Sequence, residues 1–144
     1  GRSEVRNNLS KADLVALKID ADSQETFKLI NRADKNIKLK EIIEGIKLFK
    51  KEFKGKLAIQ IMFINENKNK VNKIAEIVKE ISPDEVQINT PLRPAPVGPL
   101  IREELEKIEG YFEELNFISV YGIKHKKVHS ISTRDTILRR GKPV

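Results

Sequence analysis

"VNKIAEIVKEISPDEVQINT", residues 71–90, decides the fold class because two periods meet inside it. Val71, Ile74, Ala75, Val78 and Ile81 recur at steps of three and four, which places them on one face of a helix. "SPDE" ends that helix. From Glu85 the period becomes two, and the amides Gln87 and Asn89 fall on one side of a strand. The segment then breaks into four prolines, Pro91, Pro94, Pro96 and Pro99, which stiffen the exit path.

The same grammar extends in both directions. "ADLVALKIDA" (12–21) and "LAIQIMFI" (57–64) are short, mostly apolar runs with polar residues towards their ends, as strands buried on both faces are. After the first, Asp22 and Glu25 stand at capping-box spacing and predict a short helical turn through Phe27 and Ile30. Leu39, Ile42, Ile43, Ile46, Phe49 and Phe53 form a longer helical stripe, and Ile101, Leu105, Ile108, Phe112 and Leu115 another. "FISVYG" (117–122) predicts a further short strand. Strands and helices that alternate in this way imply an α/β fold with parallel strands, right-handed crossovers and helices over the outer face.

A chain of 144 residues, 39% hydrophobic and 34% charged, suits one soluble domain with a modest core. No apolar run approaches a membrane span, and the N-terminus lacks the order of a signal peptide, so the expected setting is cytoplasmic, with no membrane partner. The absence of cysteine excludes disulfides, a thiolate nucleophile and any cysteine-held zinc or iron–sulfur centre in this chain. Most of the net charge of +7 lies in 123–144, where Lys124, Lys126, Lys127, Arg134, Arg139, Arg140 and Lys142 oppose Asp135 alone. This basic tail is the one candidate nucleic-acid contact. His125 and His129 are four apart within it, but no third ligand accompanies them and no metal is expected.

Polar residues of one parity give a candidate site. Lys18 and Asp20 share a side of the first strand, Gln60 shares one with Met62, and Gln87 shares one with Asn89, all late in their strands. Parallel α/β folds bind ligands beyond the carboxyl ends of their strands, so these side chains could ring a ligand of mixed charge. They could equally be structural, Lys18 and Asp20 as a local ion pair and the amides as partners of strand-end backbone.

"ADLVALKIDADSQETFKLINR", "IKLKEIIEGIKLFKKEFKGKLAIQIMFI" and "VNKIAEIVKEISPDEVQINTPLRPAP" together resemble the second half of a radical S-adenosylmethionine iron–sulfur oxidoreductase, of the group related to the wyosine-forming tRNA enzymes. The likeness covers about residues 5–122 and implies a partial (β/α) barrel of six strands, with 12–21, 57–64 and 85–90 as the fourth to sixth. It implies that Lys18 and Asp20 face the ribose and amino-acid portion of S-adenosylmethionine, with Gln60 where relatives often carry a glutamate. Gln87, Asn89, Thr90 and the stiff "PLRPAP" would lie beside adenine, with Arg93 free to meet a carboxylate or phosphate. The CxxxCxxC loop that holds the [4Fe–4S] cluster in such enzymes is absent, so the resemblance implies an inactive C-terminal fragment contributing only the cofactor-binding wall. S-adenosylmethionine and the cluster would then belong to a full-length parent that modifies tRNA.

The alternative is a non-catalytic binding module for RNA or a protein partner. In either case residues 1–122 form the half barrel and 123–144 a tail, similar to the start of a helical or winged-helix appendage. A half barrel would leave the edge at 12–21 unpaired and inner-face residues such as Met62 and Ile88 open, which predicts a homodimer through that edge or face.

Overall fold

A computed structural model describes residues 3–93, 95–122 and 134. The rest of the basic tail, with His125 and His129, and Pro94 in the exit path lie outside the described residues.

Four parallel strands form the sheet in chain order: β1 (Leu14–Lys18), β2 (Lys56–Met62), β3 (Glu85–Asn89) and β4 (Phe117–Ser119). The segments between them are helical: α2 (Gln24–Asn31) and α3 (Leu39–Glu52), then α4 (Val71–Ile81), then α5 (Arg102–Glu109). A further helix, α1 (Ser3–Leu9), precedes β1; its weak apolar spacing gave no signal in the sequence.

Each helix has a local cause. In α3 the stripe buries Leu39, Ile46 and Phe49, and its first turn is capped by Gln24 of α2, whose Oε1 accepts the Leu39 N–H at 2.7 Å. α4 buries Val71, Ile74, Ala75, Val78 and Ile81, then stops on Ser82 in the left-handed conformation at φ 52°. The cap of α2 sits one residue later than Asp22 and Glu25 suggested: Ser23 Oγ accepts the Thr26 N–H at 3.2 Å, while Asp22 accepts the Thr26 hydroxyl at 2.8 Å.

Strand register divides the sheet into two unlike faces. Val15, Leu57, Ile59, Ile61, Val86 and Ile88 are buried in one cluster with Ile46 and Phe49 of α3, Val78 of α4, and Leu105 and Ile108 of α5. On the opposite face Lys18, Gln60, Gln87 and Ile118 stand side by side in register. Lys18 and Ile118 are exposed, and Gln60 and Gln87 are partly so. The helices therefore form one layer, and the other face of the sheet is uncovered among the described residues, which lets Lys18, Gln60 and Gln87 stand there beside apolar neighbours such as Ile118. Ile88, expected on the open face, is fully buried under the helices because it has the parity of Val86. Met62 does lie on the open side and is partly exposed. Of the apolar residues expected at that edge, Leu14, Val15 and Leu17, Leu14 is 50% exposed, Leu17 partly exposed and Val15 turned inward at 6%.

The coarse reading of an α/β fold with a parallel sheet thus holds. The sheet has four strands, and the barrel of radical S-adenosylmethionine enzymes is not shown by it.

Candidate functional site

The carboxyl ends of β1 and β2 are laced together by two buried polar residues. Asp20, 2% exposed, accepts the Met62 N–H on Oδ1 at 2.8 Å and the Asn31 side-chain amide on Oδ2 at 3.1 Å. Lys18 Nζ lies 3.0 Å from the same Oδ2. Asn67, fully buried, donates to the carbonyls of Asp20 and Met62 and accepts the Ile64 N–H. Strand ends carry unpaired backbone groups, and these two side chains satisfy them where water has no access.

Thr90 does the same for the end of β3. Its hydroxyl donates to the Phe63 carbonyl at 2.9 Å and accepts the Leu100 N–H at 2.9 Å, anchoring both ends of the proline-rich segment 91–99. That segment leaves the sheet as a wall along two adjoining clefts. One, of about 580 Å³, is lined by Lys18, Asp20, Arg32, Met62, Glu66 and Pro91 among others. The other, of about 660 Å³, is lined by Gln60, Met62, Asn89, Thr90, Pro91 and Arg93 among others. Met62 and Pro91 line both, so the two form a single furrow across the carboxyl ends of β1–β3.

Six of the seven residues singled out from the sequence therefore meet along this furrow. Gln87 does not line it; it sits one step down the open face, accepting from Gln60 Nε2 at 3.2 Å and donating to Glu85 at 2.8 Å. Within the furrow the roles divide. Thr90 spends its hydroxyl on backbone, and Asp20 divides its oxygens between the Met62 N–H, the Asn31 amide and Lys18, the last being the local ion pair left open by the sequence. Arg93 is exposed and has no hydrogen bond or ion pair to another described residue.

Two residues at the furrow were missed. Arg32 caps the C-terminus of α2 in the left-handed conformation, φ 47° and ψ 39°. Glu66 lies in the turn after β2, beside Asn67. "INRADKN" contains no glycine to mark a left-handed cap, so sequence spacing gave no sign of Arg32.

These features define a singly wound parallel α/β chain with a furrow at its strand carboxyl ends. The chain is 33% identical over 120 residues to the UPF0026 protein of Methanocaldococcus jannaschii, an alignment covering 79% of this chain and 37% of that protein. It is 36% identical over 105 residues to the UPF0026 protein of a Synechocystis strain, covering 72% and 38%. It is also 36% identical over 118 residues to the GTPase Obg of Brachyspira hyodysenteriae, covering 78% of this chain but 17% of that protein. The chain thus spans well under half the length of these relatives. No protein-family model matches it.

These relatives overturn the radical S-adenosylmethionine resemblance: the similar proteins are UPF0026 proteins and an Obg GTPase. With the resemblance fall the reading as the C-terminal fragment of an iron–sulfur oxidoreductase and the expectation of tRNA modification. The likeness rested on the order and lengths of elements, which parallel α/β chains of many families share, and on "VQINTPLRP" as similar to a sixth-strand signature. The chain has no cysteine, and among the described residues no group of three or more histidine and acidic side chains could hold a metal ion. Nor is any helix among them long and apolar enough to cross a membrane.

Proposed function

We propose that this chain is the ligand-binding segment of a longer α/β protein, and that a small polar molecule of mixed charge seats in the furrow at the carboxyl ends of β1–β3. The observation that carries the reading is the convergence of Lys18, Arg32, Glu66, Asn89 and Arg93 on one furrow whose floor, Asp20 and Thr90, is fixed by buried hydrogen bonds and backed by the buried Asn67. A rigid floor below exposed, unlike charges is what preorganised recognition requires. Under this reading the four strands are a section of a (β/α) barrel wall: consecutive parallel strands with helices on one side place their open face inward and their ligand at the carboxyl ends.

The Obg relative does not extend the proposal to GTP hydrolysis. It is matched over 17% of its length, and this sequence has no G-x-x-x-x-G-K-[ST] loop to cradle phosphates. Self-association through the outer edge of β1, where Leu14 is half exposed, is a separate proposal that light scattering over a range of concentrations tests.

The test is a titration of the isotope-labelled chain with a panel of polar metabolites: free amino acids, S-adenosylmethionine, nucleotides and dicarboxylates, read from backbone amide shifts. Saturable shifts at Lys18, Arg32, Met62 and Arg93 with at least one member support the reading. Shifts confined to the amino ends of the strands, or none with any member, overturn it.

A further inference from the structure

The charges lining the Arg32 side of the furrow do not cancel in a uniform way. Lys18 and Asp20 satisfy one another at 3.0 Å, and the remaining lone pairs of Asp20 are taken by the Met62 N–H and Asn31. That leaves one cation, Arg32, and one anion, Glu66, on the same cleft, neither with a hydrogen bond or ion pair to another described residue. The same cleft has an apolar lining too, with Leu29, Met62, Pro96 and Val97.

The backbone adds an independent mark. Arg32 holds φ 47°, a conformation that glycine or asparagine adopts at lower cost, yet a long charged side chain occupies the position. Such a conformation serves helix C-caps generally, as at Ser82, and here it puts an arginine at the lip of the cleft. A free phosphate or other pure anion would gain Arg32 but be repelled by Glu66, and a pure cation would meet the reverse. A molecule carrying both signs gains from each.

Resting on the furrow as the ligand site, we propose that it recognises the head group of an α-amino acid: the Arg32 guanidinium holds the carboxylate, Glu66 holds the ammonium, and an apolar side chain lies over Met62 and Val97. Arginine suits this because its planar fork accepts a carboxylate through two parallel hydrogen bonds.

The experiment compares L-leucine with N-acetyl-L-leucine, L-leucinamide and inorganic phosphate on the chain and its variants, read from amide shifts at Arg32, Glu66 and Met62. Leucine should bind at least about tenfold more tightly than either analogue, and phosphate should not saturate. Arg32→Gly should weaken leucine while leaving leucinamide unchanged, and Glu66→Gln should weaken leucine while leaving N-acetylleucine unchanged. If both blocked analogues bind in the furrow as well as leucine does, or phosphate alone does, the clamp is wrong while the furrow remains a ligand site. If none of the four moves furrow amides while another polar metabolite does, the clamp again falls alone; if no metabolite does, both readings fall.

Discussion

The two ends of the sheet are built from the same residue types and put to different use. At the amino ends, charges are spent closing the fold: Asp84 Oδ2 accepts both Lys50 Nζ and the Leu57 N–H at 2.7 Å, and its carbonyl accepts Asn116 Nδ2 at 2.9 Å. Gly55 packs so tightly there that a Cβ would lie 2.5 Å from the Asp13 carbonyl oxygen. At the carboxyl ends of β1–β3 the buried Asp20, Asn67 and Thr90 are satisfied, whereas the buried Ser119 hydroxyl at the end of β4 has no partner among the described residues, and a second tier of charged side chains, Arg32, Glu66 and Arg93, is unpaired as well. Under the proposed reading a parallel sheet divides stability and recognition between its two ends, and what sets the recognition end apart is that its unpaired charges line a cleft.

The largest expected effect tests whether the floor of the furrow is structural. Asp20→Ala leaves the Met62 N–H buried without a partner and removes the amide contact to Asn31, so it should cost about 2–4 kcal/mol by urea unfolding. Asp84→Ala removes two contacts, to Lys50 and the Leu57 N–H, against three at Asp20, and the Asp84 side chain is 41% exposed, so water can take its place and the loss should stay below about 1.5 kcal/mol. Equal losses would erase the distinction between a buried floor and an exposed brace.

Next in size is Gly55→Ala. The added methyl would meet the Asp13 and Ala12 carbonyl oxygens, both main-chain atoms at the entry to β1, so β1 and β2 must separate there. Overpacking of this kind costs about 1–3 kcal/mol, and amide exchange should rise at Leu14–Lys18 more than at Glu85–Asn89. Unchanged stability would mean that the amino end is looser than its contacts imply.

How much of this contrast was legible in the sequence depended on which forces act locally. The order of elements along the chain, the stripes of α3 and α4, and the one-sided placing of Lys18, Gln60 and Gln87 within their strands follow from periods of two and 3.6, which a single chain displays openly. The division of labour among those polar residues did not follow. Asp20 is a floor residue because the Met62 N–H, 42 residues away, needs an acceptor, and Asn67 backs the floor because two strand ends meet beside it. Arg32 was invisible because its left-handed conformation is imposed by the return from α2 to α3 and leaves no glycine in the sequence. The family likeness misled for a related reason: element order reports the packing of layers, which unrelated ligand sites share.

A smaller effect separates the ends by pH. Lys50 beside it, together with the Leu57 N–H, holds the Asp84 carboxyl below its ordinary value of 3.8. A carboxylate depressed in the folded state contributes stability above its unfolded value and loses it as pH falls through the folded one. The contribution of Asp84 should therefore be complete at neutral pH and fade below pH 3.8. Glu104 and Glu114, also depressed by lysine partners, act in the same direction. Asp84→Asn, which keeps an acceptor for Leu57, should flatten part of the acid-side slope and change stability at pH 7 by less than about 1 kcal/mol. A slope identical to that of the parent chain would place its origin elsewhere.

The smallest effect carries the sharpest contrast, because among the described residues each end has one non-glycine residue in the left-handed conformation: Arg32 at the furrow and Ser82 at the entry to β3. An L-residue there bears strain of roughly 1–2 kcal/mol, and glycine returns roughly 0.5–1 kcal/mol of it as greater freedom in the unfolded chain. Arg32→Gly and Ser82→Gly should then each raise stability by about 0.5–1 kcal/mol. Ser82 serves only to turn the chain, its N–H donating to the Val78 and Lys79 carbonyls, which glycine preserves. Ligand binding should therefore be untouched by Ser82→Gly and weakened by Arg32→Gly, although both proteins melt later than the parent. Arg32→Ala separates the two properties again, since it keeps the strain and loses the guanidinium: binding should fall with no gain in melting temperature. If Arg32→Gly stabilised the chain and left every furrow ligand bound as before, the arginine would be a helix cap like Ser82, and the two ends would differ in exposure alone.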